Sequence, residues 1–170
     1  MNESNAALPE PWLRGTLTEV PSVPRAVLHA LELAKEDLWK WCFPLSDDQL
    51  NQSSARIASI AFHLRHIALS LDRLLTYAEN RALNESQLSL LQSELSAEAK
   101  HAELFSGLEI AFEQSARRIR EFAHVDLESP RSVGKKQLPT TLGGLLVHVA
   151  DHTLRHVGQA VTTAKFIRQH

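Results

Sequence analysis

The chain has 170 residues, with 18 Lys and Arg against 20 Asp and Glu, nine His and one Cys. This length fits a single domain, and the formal charge of −2 argues against a nucleic-acid partner because no basic excess is available to neutralise phosphates. A single cysteine excludes a disulfide framework and favours a reducing compartment. Apolar runs are too short for a membrane span and the N-terminal segment shows no secretory signal, so we expect a cytoplasmic protein without a membrane partner.

The distribution of proline and glycine predicts an all-α fold. Between Pro44 and Pro130 the chain contains no proline and a single glycine, Gly107, while Leu, Ala, Glu, Ser, Gln and Arg dominate. Most of these residues favour helices, and period-2 alternation of β-branched residues is absent. We therefore predict a four-helix bundle, in which a long loop before the last helix leaves room for a crossover connection.

Apolar periodicity and capping residues give approximate bounds for the helices. The predicted long helices are Pro21 or Val23 to Phe43, Ser53 or Ser54 to Asn80, Ala102 to Phe122, and Thr140 or Thr141 to Arg168, with a shorter one at Glu85–Leu95. Ile57 opens the apolar arc of the second long helix, and the stretch His124–Pro139 is predicted to be a long surface loop. Residues 1–20 form a predicted arm, in which Trp12 is expected to pack, and residues 21–170 form the bundle domain.

Three histidines recur at four-residue intervals in the predicted last helix, at His148, His152 and His156. Residues four apart lie one turn above each other, about 6 Å along the axis and ~40° around it. The three imidazoles therefore form one stripe beside the apolar face. Two imidazoles at this spacing can bind one metal ion. The alternative is a partly buried polar layer in which each histidine hydrogen-bonds to a neighbour.

The predicted second long helix contains another pair of histidines, His63 and His66. One of them, together with two from the last helix, would make a three-His metal site with a position left open for water or substrate. The helical phase does not decide between them. His63 lies nearer the apolar arc, whereas His66 lies on a mixed polar and aromatic stripe with Phe62 and Tyr77.

The remaining histidines and the cysteine have simpler interpretations. His29 and His101 are predicted to be surface or rim residues, and His124 follows a helix end, where it can interact with terminal carbonyls. Cys42 lies between aromatic residues near a helix end and is predicted to be a packed thiol, because the sequence places no base or cation beside it.

Two segments of the chain resemble the DinB/YfiT-like metalloproteins. The segments are Ser59–Ala68, followed by Asp72 and Tyr77–Ala78, and Leu145–Gln159, in which spaced histidines precede a Gly-Gln ending. The resemblance implies a four-helix bundle that holds one divalent metal ion, often nickel or zinc. In that family one histidine of the second helix and two of the last bind the ion.

Matched residue by residue, the implied metal ligands are His66, His152 and His156. His66 takes its place because the family ligand directly precedes a small apolar step, which is Ile67-Ala68 in this chain. The resemblance then leaves His63 and His148 beside the site or in its cleft.

The resemblance also implies an activity. Several relatives join a low-molecular-weight thiol, such as bacillithiol or mycothiol, to an electrophile, or use such a thiol to isomerise maleylpyruvate. A +2 ion held by three neutral imidazoles lowers the pKa of a bound thiol or water. We therefore expect a metal-dependent thiol S-transferase with a small-molecule thiol and an electrophile as partners. The alternatives are a non-catalytic module that binds a small ligand or metal, and a helical interaction protein with a structural histidine layer.

Members of this family commonly pair as homodimers, and the resemblance implies the same assembly here. The sequence adds three tryptophans near one end of the chain, Trp12, Trp39 and Trp41, and Trp is enriched at interface hot spots. The alternative is that Trp39 packs in the monomer core and Trp12 pins its own arm.

Overall fold

The computed structural model describes residues 8–53, 57–94 and 99–168 of the chain. Its helices are α1 (Ser22–Trp41), α2 (Asp47–Asn51), α3 (Ile60–Ala78), α4 (Glu85–Ser93), α5 (His101–Arg120) and α6 (Leu142–Ile167). A short 3-10 helix at Pro11–Leu13 precedes them, and two strands, β1 (Pro130–Val133) and β2 (Leu138–Thr141), lie between α5 and α6. The predicted helical bundle is confirmed, with a small hairpin added.

The four long helices form a bundle in which α3 and α6 are neighbours. Helix α6 packs against both α3 and α1, and α5 packs against the same two helices from the other side. Long helices that follow one another, α1 and α3 or α5 and α6, thus lie diagonally opposite. As a result α3 and α6 are neighbours, although α5 lies between them in the sequence.

The predicted apolar arcs form the core. Among its largest fully buried side chains are Leu38, Leu64, Ile67, Leu71, Leu75, Leu108, Leu142 and Leu146. Burying a side chain of this size stabilises a fold by about 1.5–3 kcal/mol, so these contacts dominate the interactions that hold the bundle together. Within residues 8–53, 57–94 and 99–168, none of the helices combines the length and apolar character of a membrane span.

Helix α3 begins later than the sequence predicts. Its first residue is Ile60, because the Ser59 hydroxyl accepts a hydrogen bond from the Phe62 backbone N–H at 3.1 Å and so caps the helix. Ile57 precedes this cap and is 56% exposed, so its assignment to the apolar arc is wrong. The alternative predicted start, Ser54, lies outside the described residues, as does Leu95, the predicted end of α4.

The short helix α2 is absent from the sequence prediction, although the sequence carries a signal for it. The Ser46 hydroxyl accepts from the Gln49 N–H, and the Gln49 side chain accepts from the Ser46 N–H. This reciprocal pair is a capping box, which the Ser-x-x-Gln spacing indicates.

The prediction of a long surface loop at His124–Pro139 is wrong in its second half. Strand β1 pairs with β2 in antiparallel register, with Pro130 opposite Thr141. Gly134 makes the turn with a left-handed φ of 71°, which glycine adopts without steric cost. Each strand has only four residues and contains a proline. The alternation of apolar and polar residues that usually identifies a strand is therefore not recognisable in the sequence.

The hairpin leads directly into α6 and determines where that helix begins. The Thr141 hydroxyl accepts from the Gly144 N–H at 3.1 Å, which confirms the predicted cap. The Leu142 and Gly143 N–H groups donate to the carbonyls of Ser129 and Leu127, at 3.0 and 2.8 Å. Three of the first N–H groups of α6 thus have partners in the segment that precedes it.

The N-terminal arm is fastened to α1 by Arg14. Its guanidinium donates to Glu32 at 2.9 Å and makes two hydrogen bonds to Glu36. Trp12 is 61% exposed and donates its indole N–H to Glu10, so the expectation that Trp12 packs is wrong within a single chain. The division at residues 20 and 21 stays a prediction.

The structure also tests the predictions for His29, His101 and Cys42. The surface prediction for His29 is wrong, because this residue is 6% exposed and its ring lies 3.1 Å from the Thr16 hydroxyl of the arm. His101 lies at the rim, 2.8 Å from the Phe43 carbonyl. The prediction for Cys42 is confirmed: the thiol is fully buried, and this burial raises its pKa to about 12.

Candidate metal centre

Helices α3 and α6 bring His66, His152 and His156 together. Each offers one ring nitrogen, and these three nitrogens all lie within 4.8 Å of one another. The Nε2 atoms of His66 and His152 are 2.9 Å apart, and the ring centroid of His156 is 4.3 Å from that of His66. All three imidazoles are half-buried, so the cluster lies at the edge of the core.

The local structure explains why these rings converge. His152 and His156 are one turn apart on α6, and Thr153 and Val157 beside them are buried, which holds their stripe next to α3. Phe62 stacks on the His66 ring, with centroids 5.5 Å apart and planes inclined by 23°. The aromatic contact keeps the His66 ring directed towards α6.

His63 and His148 flank the three-nitrogen cluster. His63 is 5% exposed, and its Nδ1 lies 3.0 Å from Nδ1 of His156. One of these two nitrogens donates and the other accepts, so His63 holds the His156 ring. His148 is half exposed, with its ring centroid 5.4 Å from that of His152, and it borders the cluster from the solvent side.

His152 and His156 are neutral at physiological pH. Burial lowers the pKa of both residues, the repulsion of a like charge on the neighbouring His66 adds to the effect, and together they bring each pKa to about 4. Burial and His66 also lower the pKa of His63. Neutral imidazoles keep a lone pair free, which a metal ligand needs.

Glu94, just after α4, lies behind His66 and was missed by sequence reasoning. Its carboxylate is 3.2 Å from Nδ1 of His66 and 3.1 Å from the Arg73 guanidinium. Burial raises the pKa of this carboxyl, but the contacts with His66 and Arg73 outweigh it, so the net pKa lies below its ordinary value. No local pattern in the sequence links position 94 to α3, so nothing could have indicated it.

The cluster fits a divalent metal ion. Three imidazoles are a common ligand set for such ions and leave one position open. The Nε2 atoms of His66 and His152 lie 2.9 Å apart, a distance that is favourable only when a proton or an ion lies between them. The carboxylate behind His66 matches the support that metal-binding histidines usually receive from a neighbouring acceptor.

The family comparison agrees with this geometry. The sequence profile of the DinB superfamily matches residues 30–160, a span that contains all five histidines of α3 and α6. The chain belongs to the DinB superfamily. No curated protein matches it significantly. Family membership and the histidine cluster together identify a helical DinB-superfamily protein that is suited to bind a divalent metal ion.

One side of the centre in this DinB-superfamily protein faces a cleft of about 790 Å³ between α3 and α6. Its lining includes Phe62, His63, Arg155, His156, Gln159 and Thr162. A cavity of about 350 Å³ between the arm, α1 and α5 is smaller and lies away from the histidines. The larger cleft has the size of a small-molecule site. His156 belongs to both the cluster and the lining of this cleft, and so connects the two.

Proposed function

We propose that this DinB-superfamily protein is a metal-dependent thiol S-transferase, which joins a low-molecular-weight thiol to an electrophile. The observation that carries the proposal is the three-His cluster, whose member His156 also lines a cleft of about 790 Å³. A cluster that only stabilised the fold would not need a cleft of this size beside it.

Within this proposal His66, His152 and His156 hold the metal ion, with nickel or zinc as the candidates. A divalent ion held by three neutral imidazoles lowers the pKa of a thiol bound beside it and so makes the sulfur a better nucleophile. The low pKa values of His152 and His156 keep these two residues available as ligands at neutral pH. His63 supports the centre by its contact with His156.

The cleft supplies the binding surface for the second substrate. Phe62 and Ala58 offer an apolar wall, while Gln159 and Thr162 offer uncharged polar groups. Arg155 lies at the same cleft and pairs with Asp151 one turn earlier on α6. This lining suits a compact, partly apolar electrophile, which the helices would hold against the thiol. The sulfur then bonds to carbon, and the thiol proton and the leaving group are released.

The experiment tests binding and turnover in turn. Purified protein is first analysed for bound metal, and the metal-loaded protein is then assayed with bacillithiol, mycothiol or cysteine and monochlorobimane, whose conjugate is fluorescent. We expect about one metal ion per chain and conjugation above the uncatalysed rate. Chelation and the variant His152→Ala should abolish the catalysed rate, whereas His148→Ala, at the half-exposed position, should keep it.

Other outcomes favour the alternatives. Stoichiometric metal without conjugation of any thiol would indicate a module that binds a metal or small ligand. Protein without affinity for any divalent ion would indicate a structural histidine layer, for which the His66–His152 and His63–His156 contacts are the supporting observation.

A further inference from the structure

Glu94 contacts the side of the His66 ring that faces away from the candidate metal centre. The Nε2 atom of His66 faces His152 at 2.9 Å, whereas its Nδ1 atom lies 3.2 Å from the Glu94 carboxylate. Nδ1 is fully enclosed, and its alignment with Glu94 is poorer than in an ideal hydrogen bond. Because an enclosed N–H without an acceptor is costly, a slight rotation of the ring towards Glu94 is favourable.

Two arginine side chains of α3 hold Glu94 in this position. Arg73 contacts both carboxylate oxygens, at 3.1 and 3.5 Å, and Arg65 donates to the Glu94 backbone carbonyl at 3.3 Å. Glu94 is 5% exposed and Arg73 is 9% exposed, so this ion pair is largely out of contact with water. The carboxylate is therefore fixed before any ligand binds.

Global stability is a poor explanation for this buried pair. The desolvation of two buried charges offsets much of their attraction, so such a pair adds little net stability compared with apolar side chains of similar volume. The position of the pair is more informative, since the carboxylate that Arg73 holds also lies 3.2 Å from the ring of a candidate metal ligand.

We propose that Glu94, held by Arg73, is a positioning residue for His66. It accepts the Nδ1–H of the imidazole, which leaves the lone pair on Nε2 directed towards His152 and His156. The functional role of this contact rests on the proposed metal centre. The tautomer of His66, however, can be measured in the metal-free protein. Carboxylates that act in this way raise the metal affinity of a histidine site by fixing the ring and its tautomer.

The test uses the full-length chain with Glu94→Ala and Glu94→Gln. Long-range 15N NMR of the metal-free protein reports which ring nitrogen of His66 carries the proton, and titration with Co²⁺, followed by visible absorption, reports metal affinity. In the unmodified protein we expect the proton on Nδ1. In Glu94→Ala we expect a mixture of tautomers and a loss of Co²⁺ affinity of about 10–100-fold. Glu94→Gln keeps the shape and an acceptor oxygen, so it should keep the Nδ1–H tautomer with a smaller loss.

Glu79→Ala is the matched control. Glu79 is also a partly buried carboxylate paired with an arginine, Arg118, but it caps the far end of α3, about 20 Å along the axis from His66. Its removal should lower the melting temperature and leave both the tautomer and the Co²⁺ affinity unchanged. A purely structural role of Glu94 would make the two variants behave alike.

The inference is overturned if Glu94→Ala folds and keeps both the His66 tautomer and the Co²⁺ affinity of the unmodified protein. If Glu94→Ala does not fold, unchanged Co²⁺ affinity in Glu94→Gln has the same meaning, since the charge-assisted hydrogen bond is lost there too. If the unmodified protein binds no Co²⁺, the proposed function fails. The tautomers of the metal-free proteins then still decide whether Glu94 positions His66.

Discussion

The Nε2 atoms of His66 and His152 lie 2.9 Å apart, although 86 positions separate the two residues in the chain. Two ring nitrogens at this distance share either a proton or an ion, because two bare lone pairs would repel each other. The contact exists because the diagonal connections of the bundle make α3 and α6 neighbours. The fold thus creates the candidate centre, and its residues can be tested one at a time.

Alanine substitution of the three clustered histidines should remove the metal. We expect His66→Ala, His152→Ala and His156→Ala each to lower metal affinity at least about tenfold, because two imidazoles hold a divalent ion poorly. His63→Ala should keep most of the metal, since His63 contacts the ring of His156 and is not part of the three-nitrogen cluster. Metal analysis after dialysis measures this.

The same variants test whether the fold needs the ion. The core consists of apolar side chains that pack against one another without the ion, so circular dichroism of all four proteins should show intact helices. If a chelator unfolds the unmodified protein, this expectation fails. If His63→Ala loses the ion while His66→Ala retains it, the ligand assignment is wrong.

The stability of the metal-free protein should fall as the pH decreases from about 6.5 to about 4. In the folded protein the pKa of His152 and that of His156 are lowered to about 4, against an ordinary value of 6.5. In that window the unfolded chain binds protons at both positions and the folded chain does not, so acid favours unfolding. Above pH 6.5 this contribution is constant. Urea unfolding at pH 7 and pH 5 measures it.

The double variant His152→Ala/His156→Ala isolates these two residues. Carboxylates with lowered pKa values, such as Glu79 and Glu94, also destabilise the fold on acidification, and they are unchanged in the variant. The double variant should therefore lose less stability between pH 7 and pH 5 than the unmodified protein. An equal or larger loss would contradict the assigned pKa shifts.

The thiol of Cys42 should be inert in the folded protein. It is fully buried, and its pKa is raised to about 12, so the reactive thiolate is scarce at pH 8. Labelling with iodoacetamide, followed by mass spectrometry, should proceed only as fast as the protein unfolds. The same reagent should modify the urea-denatured chain completely, and rapid labelling of the native protein would refute this prediction.

We propose that the protein is a homodimer in solution, with a mass of about twice that of one chain. The exposed Trp12 is the strongest candidate for the interface, whereas Trp41 is already covered in part by Lys165 and Arg168 of its own chain. Because a two-fold interface uses each residue twice, Trp12→Ala should shift the mass towards the monomer more than Trp41→Ala. Multi-angle light scattering that finds a monomer at high concentration ends this proposal.

The sequence predicts the elements that carry the candidate centre better than the connections between them. Helix α6 and its Thr141 cap follow from local signals, namely the apolar arc and a threonine before a glycine pair. Helix α3 follows equally well except at its start, where Ser59 stops the helix although Ile57 continues the apolar spacing. Periodicity alone does not show where capping interrupts it.

The choice between His63 and His66 and the role of Glu94 depend on tertiary structure. Both histidines point to the same side of α3, and only the placement of α6 decides that His66 meets His152 while His63 meets His156. Glu94 reaches the centre because α4 packs beside α3, which places the C-cap residue of α4 next to His66. Such long-range proximity leaves no trace in the local spacing of residues.

The tight junction between the hairpin and α6 has a consequence for the evolution of the distant imidazoles. A Cβ atom added to Gly144 would lie 2.8 Å from the Thr140 hydroxyl, and one added to Gly143 would lie 3.3 Å from Leu127. The absence of side chains at these two glycines lets the first turn of α6 pack closely against the hairpin and the segment before it. This close packing fixes the rotation of α6 about its axis. His156 lies about 18 Å further along the same helix. The glycine pair therefore helps to determine the direction in which its imidazole points. Residues that never touch the ion thereby limit which side chains can become its ligands.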